Sequence, residues 1–115
     1  MNRDIKFSVV IPTFNRVEFI LLAIRSVLNQ SYKNFELIVV NDGSTDETES
    51  VVATVKDPRL RYFKIDNSER AKARNTGILA ATGDYITFLD SDDQLYDDYL
   101  MEAEKGIRKF NYIPF

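Results

Sequence analysis

Three carboxylates packed into four consecutive residues, Asp90-Ser91-Asp92-Asp93, stand out in a sequence that contains neither histidine nor cysteine. Carboxylates so close repel one another unless a cation or strong donors relieve them. Aspartate oxygens suit a hard divalent ion such as Mg²⁺ or Mn²⁺, which takes one or two protein carboxylates and completes its shell with water and phosphate oxygens. A solvated loop that caps a helix is the other reading of the same four residues.

A further carboxylate, Asp42, lies between Asn41 and Gly43. The segment reads as an ordinary turn before a capped helix. A carboxylate there could also accept the imide N–H of uracil, a donor that cytosine lacks at the same ring position. Arg70, Lys72 and Arg74 form a basic strip between these acidic points. Such charges commonly solvate a helix face, yet a guanidinium fork could clamp a diphosphate, with Arg70 the first candidate. The absence of cysteine excludes disulfides and thiolate chemistry, and the absence of histidine removes the commonest general base. Any chemistry must therefore use carboxylates or a metal. A net charge of −3 argues against a nucleic-acid partner.

These residues need elements to hold them. Phe7 to Ile11 is a β-branched apolar run, the pattern of a strand buried on both faces of a parallel sheet, and Pro12 is expected to end it. From Val17 to Asn29 the apolar residues Ile20, Ala23, Ile24, Val27 and Leu28 recur at helical spacing. Phe35 to Val40 repeats the buried-strand pattern and stops at the turn Asn41-Asp42-Gly43. Ser44 and Glu47 then have the spacing of a capping box for a helix with Val51, Val52 and Val55 inward. Leu60 to Ile65 reads as a third, edge strand, and Glu69 to Ala81 as a helix with Ala71, Arg74, Ile78 and Ala81 on one stripe and Gly83 as its stop signal. Tyr85 to Leu89 is the fourth strand. A last helix, capped by Asp97, should turn Tyr99, Leu100, Ala103 and Ile107 inward. The phenylalanines and tyrosines are assigned to the core.

Alternating strands and helices imply right-handed crossovers and a parallel α/β sheet. In such sheets ligands sit beyond the carboxyl ends of the strands. Pro12 to Arg16, Asn41 to Ser44 and Asp90 to Asp93 each follow a predicted strand, so all three should line one edge. The chain, 115 residues with 44% apolar and 29% charged, suits one soluble domain over 1–115. It has no apolar run long enough to span a membrane. Its start lacks the features of a signal peptide, which places it in the cytoplasm, with the membrane's cytoplasmic face as a further location.

The segments Ser8-Val9-Val10-Ile11-Pro12-Thr13-Phe14-Asn15-Arg16, Glu36 to Asp46, Ala73-Arg74-Asn75-Thr76-Gly77-Ile78 and Phe88 to Asp93 together resemble the family 2 glycosyltransferases, inverting enzymes of the GT-A fold. The resemblance runs from Phe7 to Ile107. It implies a Rossmann-like three-layer sandwich of about four strands in the order 3-2-1-4, a part of the GT-A fold. It also implies a nucleotide-diphosphate sugar of UDP type, bound by Pro12, Thr13, Asn15, Arg16, Asp42, Arg70, Asp90 and Ser91, with Mn²⁺ or Mg²⁺ held by Asp92 and Asp90. Asn75 and Gly77 would seat their helix against the sheet. In the family the general base and the acceptor site lie beyond the equivalent of Phe115, so a nucleotide-binding portion truncated at its carboxyl end is expected.

Two functions follow. One is a glycosyltransferase completed by further sequence, transferring a sugar with inversion to an acceptor not specified by these motifs. The other is a nucleotide-sugar-binding or regulatory module without turnover. A dinucleotide oxidoreductase is disfavoured because the first strand leads into Pro12-Thr13-Phe14-Asn15 and not a glycine-rich turn. A phosphotransferase with an aspartyl nucleophile would carry its carboxylates after the first strand. Truncation should also leave an unpaired sheet edge prone to self-association.

Overall fold

The computed structural model describes residues 4–67 and 70–110, the side chain of Arg70 excepted. Eight elements alternate along the chain: β1 (Phe7–Thr13), α1 (Ile20–Leu28), β2 (Phe35–Asp42), α2 (Thr48–Ala53), β3 (Leu60–Ile65), α3 (Arg70–Ala80), β4 (Tyr85–Phe88) and α4 (Tyr99–Phe110). The four strands form one parallel sheet in the order β3-β2-β1-β4. This is the α/β order expected from the sequence, with β3 at one edge and β4 at the other.

Period-two alternation in the two central strands builds two cores. Phe7, Val9 and Ile11 of β1 and Phe35, Leu37 and Val39 of β2 face α1, α4 and Val52 of α2. Val10, Ile38 and Val40 point to the opposite face, where they meet Ala73 of α3. The sheet is therefore covered on both sides, which explains why its central strands read as unbroken apolar runs.

Pro12 does not end β1. The strand runs on to Thr13, paired with β2 as far as Asn41. On the other side β4 pairs with β1 only from Phe7 to Val10, so the missing amide of Pro12 falls beyond the last β4 partner. β2 likewise runs two residues past Val40 to Asp42.

Two helix starts differ from their sequence signals. Residues 17–19 form a turn and α1 begins at Ile20; the amide of Val17 donates to a carboxylate oxygen of Asp46 at 3.3 Å. The Ser44–Glu47 capping box does not form. Glu47 makes no capping bond, Ser44 Oγ accepts the amide of Asn15 at 2.9 Å, and Asp46 Oδ1 instead accepts the backbone amide of Thr48 at 2.9 Å.

The buried face of α3 is also rotated from expectation. Ala73 and Gly77 pack against the sheet, while Ala71, Asn75 and Ile78 are exposed. A Cβ on Gly77 would stand 2.3 Å from a methyl of Val10, so α3 approaches β1 more closely than any side chain allows. The seam is written in small residues, which carry no weight in a search for a hydrophobic stripe. In α4, Leu100 is buried and Ala103 and Ile107 pack on the core as expected, but Tyr99 is exposed. Gly83 keeps an ordinary backbone, and its role is close approach: a Cβ there would lie 2.7 Å from Ser8 Oγ. Ile86 of the edge strand β4 is exposed, as are Ile78 and Leu79 of α3.

Candidate functional site

The parallel order brings the carboxyl ends of β1, β2 and β4 to one edge, and a cavity of about 440 Å³ opens there. Pro12, Thr13, Phe14 and Arg16 line it from the end of β1 and the loop that follows. Asp42 enters from the end of β2, and Asp90, Ser91 and Asp92 from the loop after β4. The three predicted strand tips thus converge.

Each tip is held by its strand. Leu89 extends the β4 pairing by donating its amide to the carbonyl of Val10 at 2.9 Å, and its side chain is buried in the core. The chain then turns, with the amide of Asp93 donating to the carbonyl of Asp90 at 3.0 Å and Ser91 buried beneath. Asp90, Asp92 and Asp93 stay exposed, each offering a carboxylate oxygen within 4.8 Å of the others. Three hard oxygen donors at this spacing fit a divalent ion of the magnesium or manganese type, whose remaining positions would be open to water and phosphate. Asp93 joins the Asp90 and Asp92 expected from the sequence, although it does not line the cavity.

At the β2 tip, Asp42 is only 7% exposed. Beside it, Asn41 is buried, its Nδ2 donating to the hydroxyl of Tyr62 at 2.9 Å and its Oδ1 accepting the amide of Ser44 at 3.0 Å. Gly43 follows with φ +68°, the left-handed conformation expected of this turn.

Thr13 is 3% exposed, and its hydroxyl is the one buried side-chain oxygen or nitrogen without a hydrogen-bond partner among the described residues. A buried hydroxyl left unpaired costs stability, on the order of 1–3 kcal/mol. Thr13 is also one of the residues that line the cavity.

Two predicted site residues are not placed in the cavity wall. Asn15 does not line it; the side chain joins the turn after β2. Arg70 begins α3, but its side chain lies outside the described residues, as does Glu69. Three wall residues escaped the sequence-based site, Phe14, Asn67 and Ala73, and a fourth, Arg74, belongs to the basic strip in which Arg70 was the first candidate. Arg74 holds its guanidinium 4.4 Å from the centre of the Phe88 ring, a cation–π contact that fixes a positive residue in the cavity wall. Phe14, assigned to the core with the other aromatics, is 42% exposed at the cavity wall. Asn67 follows β3, so it occupies a fourth strand tip, and its Nδ2 donates to the carbonyl of Asp42 at 3.2 Å. Among the described residues no helix is long and apolar enough to cross a membrane.

Comparison with known proteins points the same way. The family model described as Glycosyl transferase family 2 matches residues 8–112. An uncharacterised glycosyltransferase of Rickettsia conorii is 46% identical over 111 residues, covering 96% of this chain and 18% of that protein. The chain therefore spans about a fifth of the length of that relative. Residues 1–349 of S. aureus TarS, solved in complex with UDP-GlcNAc, superpose with a TM-score of 0.87 at 32% identity, covering 92% of this chain and 32% of that one. The mannosyltransferase PcManGT of Pyrobaculum calidifontis, solved with GDP-Man and Mn²⁺, gives a TM-score of 0.76 at 30% identity over 88% of this chain and 32% of that one.

Proposed function

Because the chain belongs to glycosyl transferase family 2, we propose that it forms the donor site of a glycosyltransferase and binds a UDP-type nucleotide sugar together with Mn²⁺ or Mg²⁺. The observation that carries this reading is the shared cavity: Thr13, Asp42, Asp90 and Asp92, from three strand tips, all line one space. Asp42 would accept the uracil N3–H, and the Pro12–Thr13 segment would lie along the base. Asp92 and Asp90, with Asp93 beside them, would hold the metal between themselves and the diphosphate. The bound ion would supply stabilisation of the negative charge that develops on the departing diphosphate. Arg74, and Arg70 at the start of α3, would complete the neutralisation from the cationic side. The UDP-GlcNAc in TarS and the Mn²⁺ in the mannosyltransferase support the donor class and the metal.

Transfer would proceed by attack of an acceptor hydroxyl on the anomeric carbon with inversion, assisted by a general base supplied by sequence beyond this chain. A binding module without turnover remains the second function class from the sequence; sugar release from a UDP-sugar with and without the additional carboxyl-terminal sequence separates the two. The premise common to both is tested by calorimetric titration with UDP, CDP and GDP, each with and without Mn²⁺. Metal-dependent binding of UDP in preference to CDP is expected. Failure of UDP to bind at millimolar concentration in the presence of Mn²⁺ would overturn the reading.

A further inference from the structure

The turn that carries Asp42 is braced by a residue that does not line the cavity. Asn15 has φ +50°, the only positive φ of a residue other than glycine among the described residues. Asparagine tolerates this left-handed conformation better than most residues, though at some cost. What holds it there is a set of bonds to the loop after β2. The Asn15 amide donates to Ser44 Oγ at 2.9 Å, and its side-chain Oδ1 accepts the amides of Thr45 at 2.8 Å and Asp46 at 3.3 Å. Two residues on, the amide of Val17 donates to the carboxylate of Asp46. The loop after β1 and the turn after β2 are in this way one hydrogen-bonded body.

The cavity wall is set by that body. Phe14 and Arg16, on either side of Asn15, both line the cavity, whereas Asn15 is turned toward Ser44–Asp46. From the opposite side Asn67 presses on the same turn: a Cβ on Gly43 would lie 2.5 Å from the backbone nitrogen of Asn67. The turn that follows Asp42 is thus held by Asn15 and by Asn67, neither of which needs a ligand to do so.

We infer that Asn15 is a positioning residue for base selection, acting by locking the Asp42 turn to the Phe14–Arg16 wall and not by touching the nucleotide. This rests on the reading of Asp42 as acceptor of the uracil N3–H. A ligand whose base presents an acceptor in place of that N–H, as cytosine does, is rejected only while Asp42 cannot swing aside. Asn15 therefore governs discrimination between UDP and CDP more than the affinity contributed by diphosphate and metal.

The test is titration of the unaltered protein, Asn15→Gly and Asn15→Asp with UDP and with CDP, in the presence of Mn²⁺, with melting temperatures measured alongside. Glycine keeps the left-handed backbone but loses the side-chain bonds; aspartate keeps an oxygen that accepts the amides of Thr45 and Asp46. Asn15→Gly is expected to lower the UDP-to-CDP affinity ratio about fivefold, the equivalent of one lost hydrogen bond, while Asn15→Asp keeps most of it. Ser44→Ala, which removes one contact and leaves Asn15 in place, should shift the ratio in the same direction by less, and it serves if Asn15→Gly does not fold. An unchanged ratio in both Asn15→Gly and Ser44→Ala overturns the proposal. So does a loss in Asn15→Asp as large as in Asn15→Gly, because the bonds from the amides of Thr45 and Asp46 would then not be what sets the ratio. Absence of any UDP preference in the unaltered protein removes the Asp42 reading itself, and is seen before any variant is compared.

Discussion

The two ends of the sheet use similar residues to opposite effect. At the amino-terminal end, Glu36 is 6% exposed and saturated. It accepts from Ser8 Oγ at 2.6 Å, from the amide of Thr82 at 2.6 Å and its hydroxyl at 3.0 Å, and from Arg61 at 2.9 Å. Arg61 in turn donates to the carbonyl of Ala80 at 2.7 Å, and the amide of Gly83 donates to Ser8 Oγ at 2.8 Å. β1, β2, β3, the end of α3 and the loop that leads to β4 are tied together around one carboxylate. At the carboxyl end, a threonine hydroxyl is buried without a partner and three carboxylates crowd together in the open. A buried polar group that is fully bonded stabilises the fold, and one that is left wanting marks where another molecule completes it.

Removing Glu36 should break that comparison most severely. Glu36→Ala leaves Arg61 without its carboxylate and the Ser8 and Thr82 donors unpaired, and is expected to cost about 3 kcal/mol by denaturant unfolding. The pH dependence follows from the same site. Burial pushes the Glu36 carboxyl up, but the bonds from Ser8, Thr82 and Arg61 outweigh it and bring the pKa from 4.5 down to about 2. A depressed carboxylate pKa gives stability that is present above pH 4.5 and is lost as pH falls toward about 2. The unaltered protein should therefore lose stability across that window, and Glu36→Gln should show a flatter acid limb.

At the other end, substitutions should weaken ligand binding without weakening the fold. Asp92→Asn is expected to lower Mn²⁺-dependent affinity for UDP by roughly tenfold to a hundredfold, through loss of one metal oxygen and its charge. Asp90→Asn should act in the same direction. Because both carboxylates are exposed and close to one another, their removal relieves repulsion, and the melting temperature should hold or rise. A drop in melting temperature comparable to that of Glu36→Ala would place the acidic loop in the structural class and end the contrast.

A parallel sheet, two-sided burial and the three converging strand tips were legible in the sequence, because alternation of strand and helix patterns restricts the topology to few choices, while the order 3-2-1-4 was implied by the family resemblance. The apolar stripe of α3 was not, since Ala73 and Gly77 meet the sheet through lack of bulk and not through hydrophobicity; only the seating of Gly77 was expected, from the family resemblance. Cap chemistry after β2 was misread for a related reason. Ser44, Asp46 and Glu47 are all competent by type, and the choice of Asp46 depends on Asn15 having already taken Ser44 from a distant part of the chain. Asn67 was hidden in a polar loop whose composition gives no sign of contact with the Asp42 turn. Within the basic strip the sequence favours Arg70, yet it is Arg74 whose place in the cavity wall the Phe88 ring secures.

Thr13→Val offers the smallest and most discriminating change. It replaces an unpartnered hydroxyl by a methyl of similar size, so in the absence of ligand the protein should gain stability, by about 1 kcal/mol, since a buried donor without a partner carries an unrecovered desolvation cost. Affinity for UDP should fall several-fold at the same time. The opposite signs are the point of the experiment: a residue of the structural end, such as Ser8, whose hydroxyl is bonded to Glu36, should lose stability on removal of its hydroxyl and leave ligand affinity alone. If Thr13→Val lowered the melting temperature and left UDP binding unchanged, Thr13 would belong with Ser8, and the division between a saturated end and a receptive end of the sheet would not hold at β1.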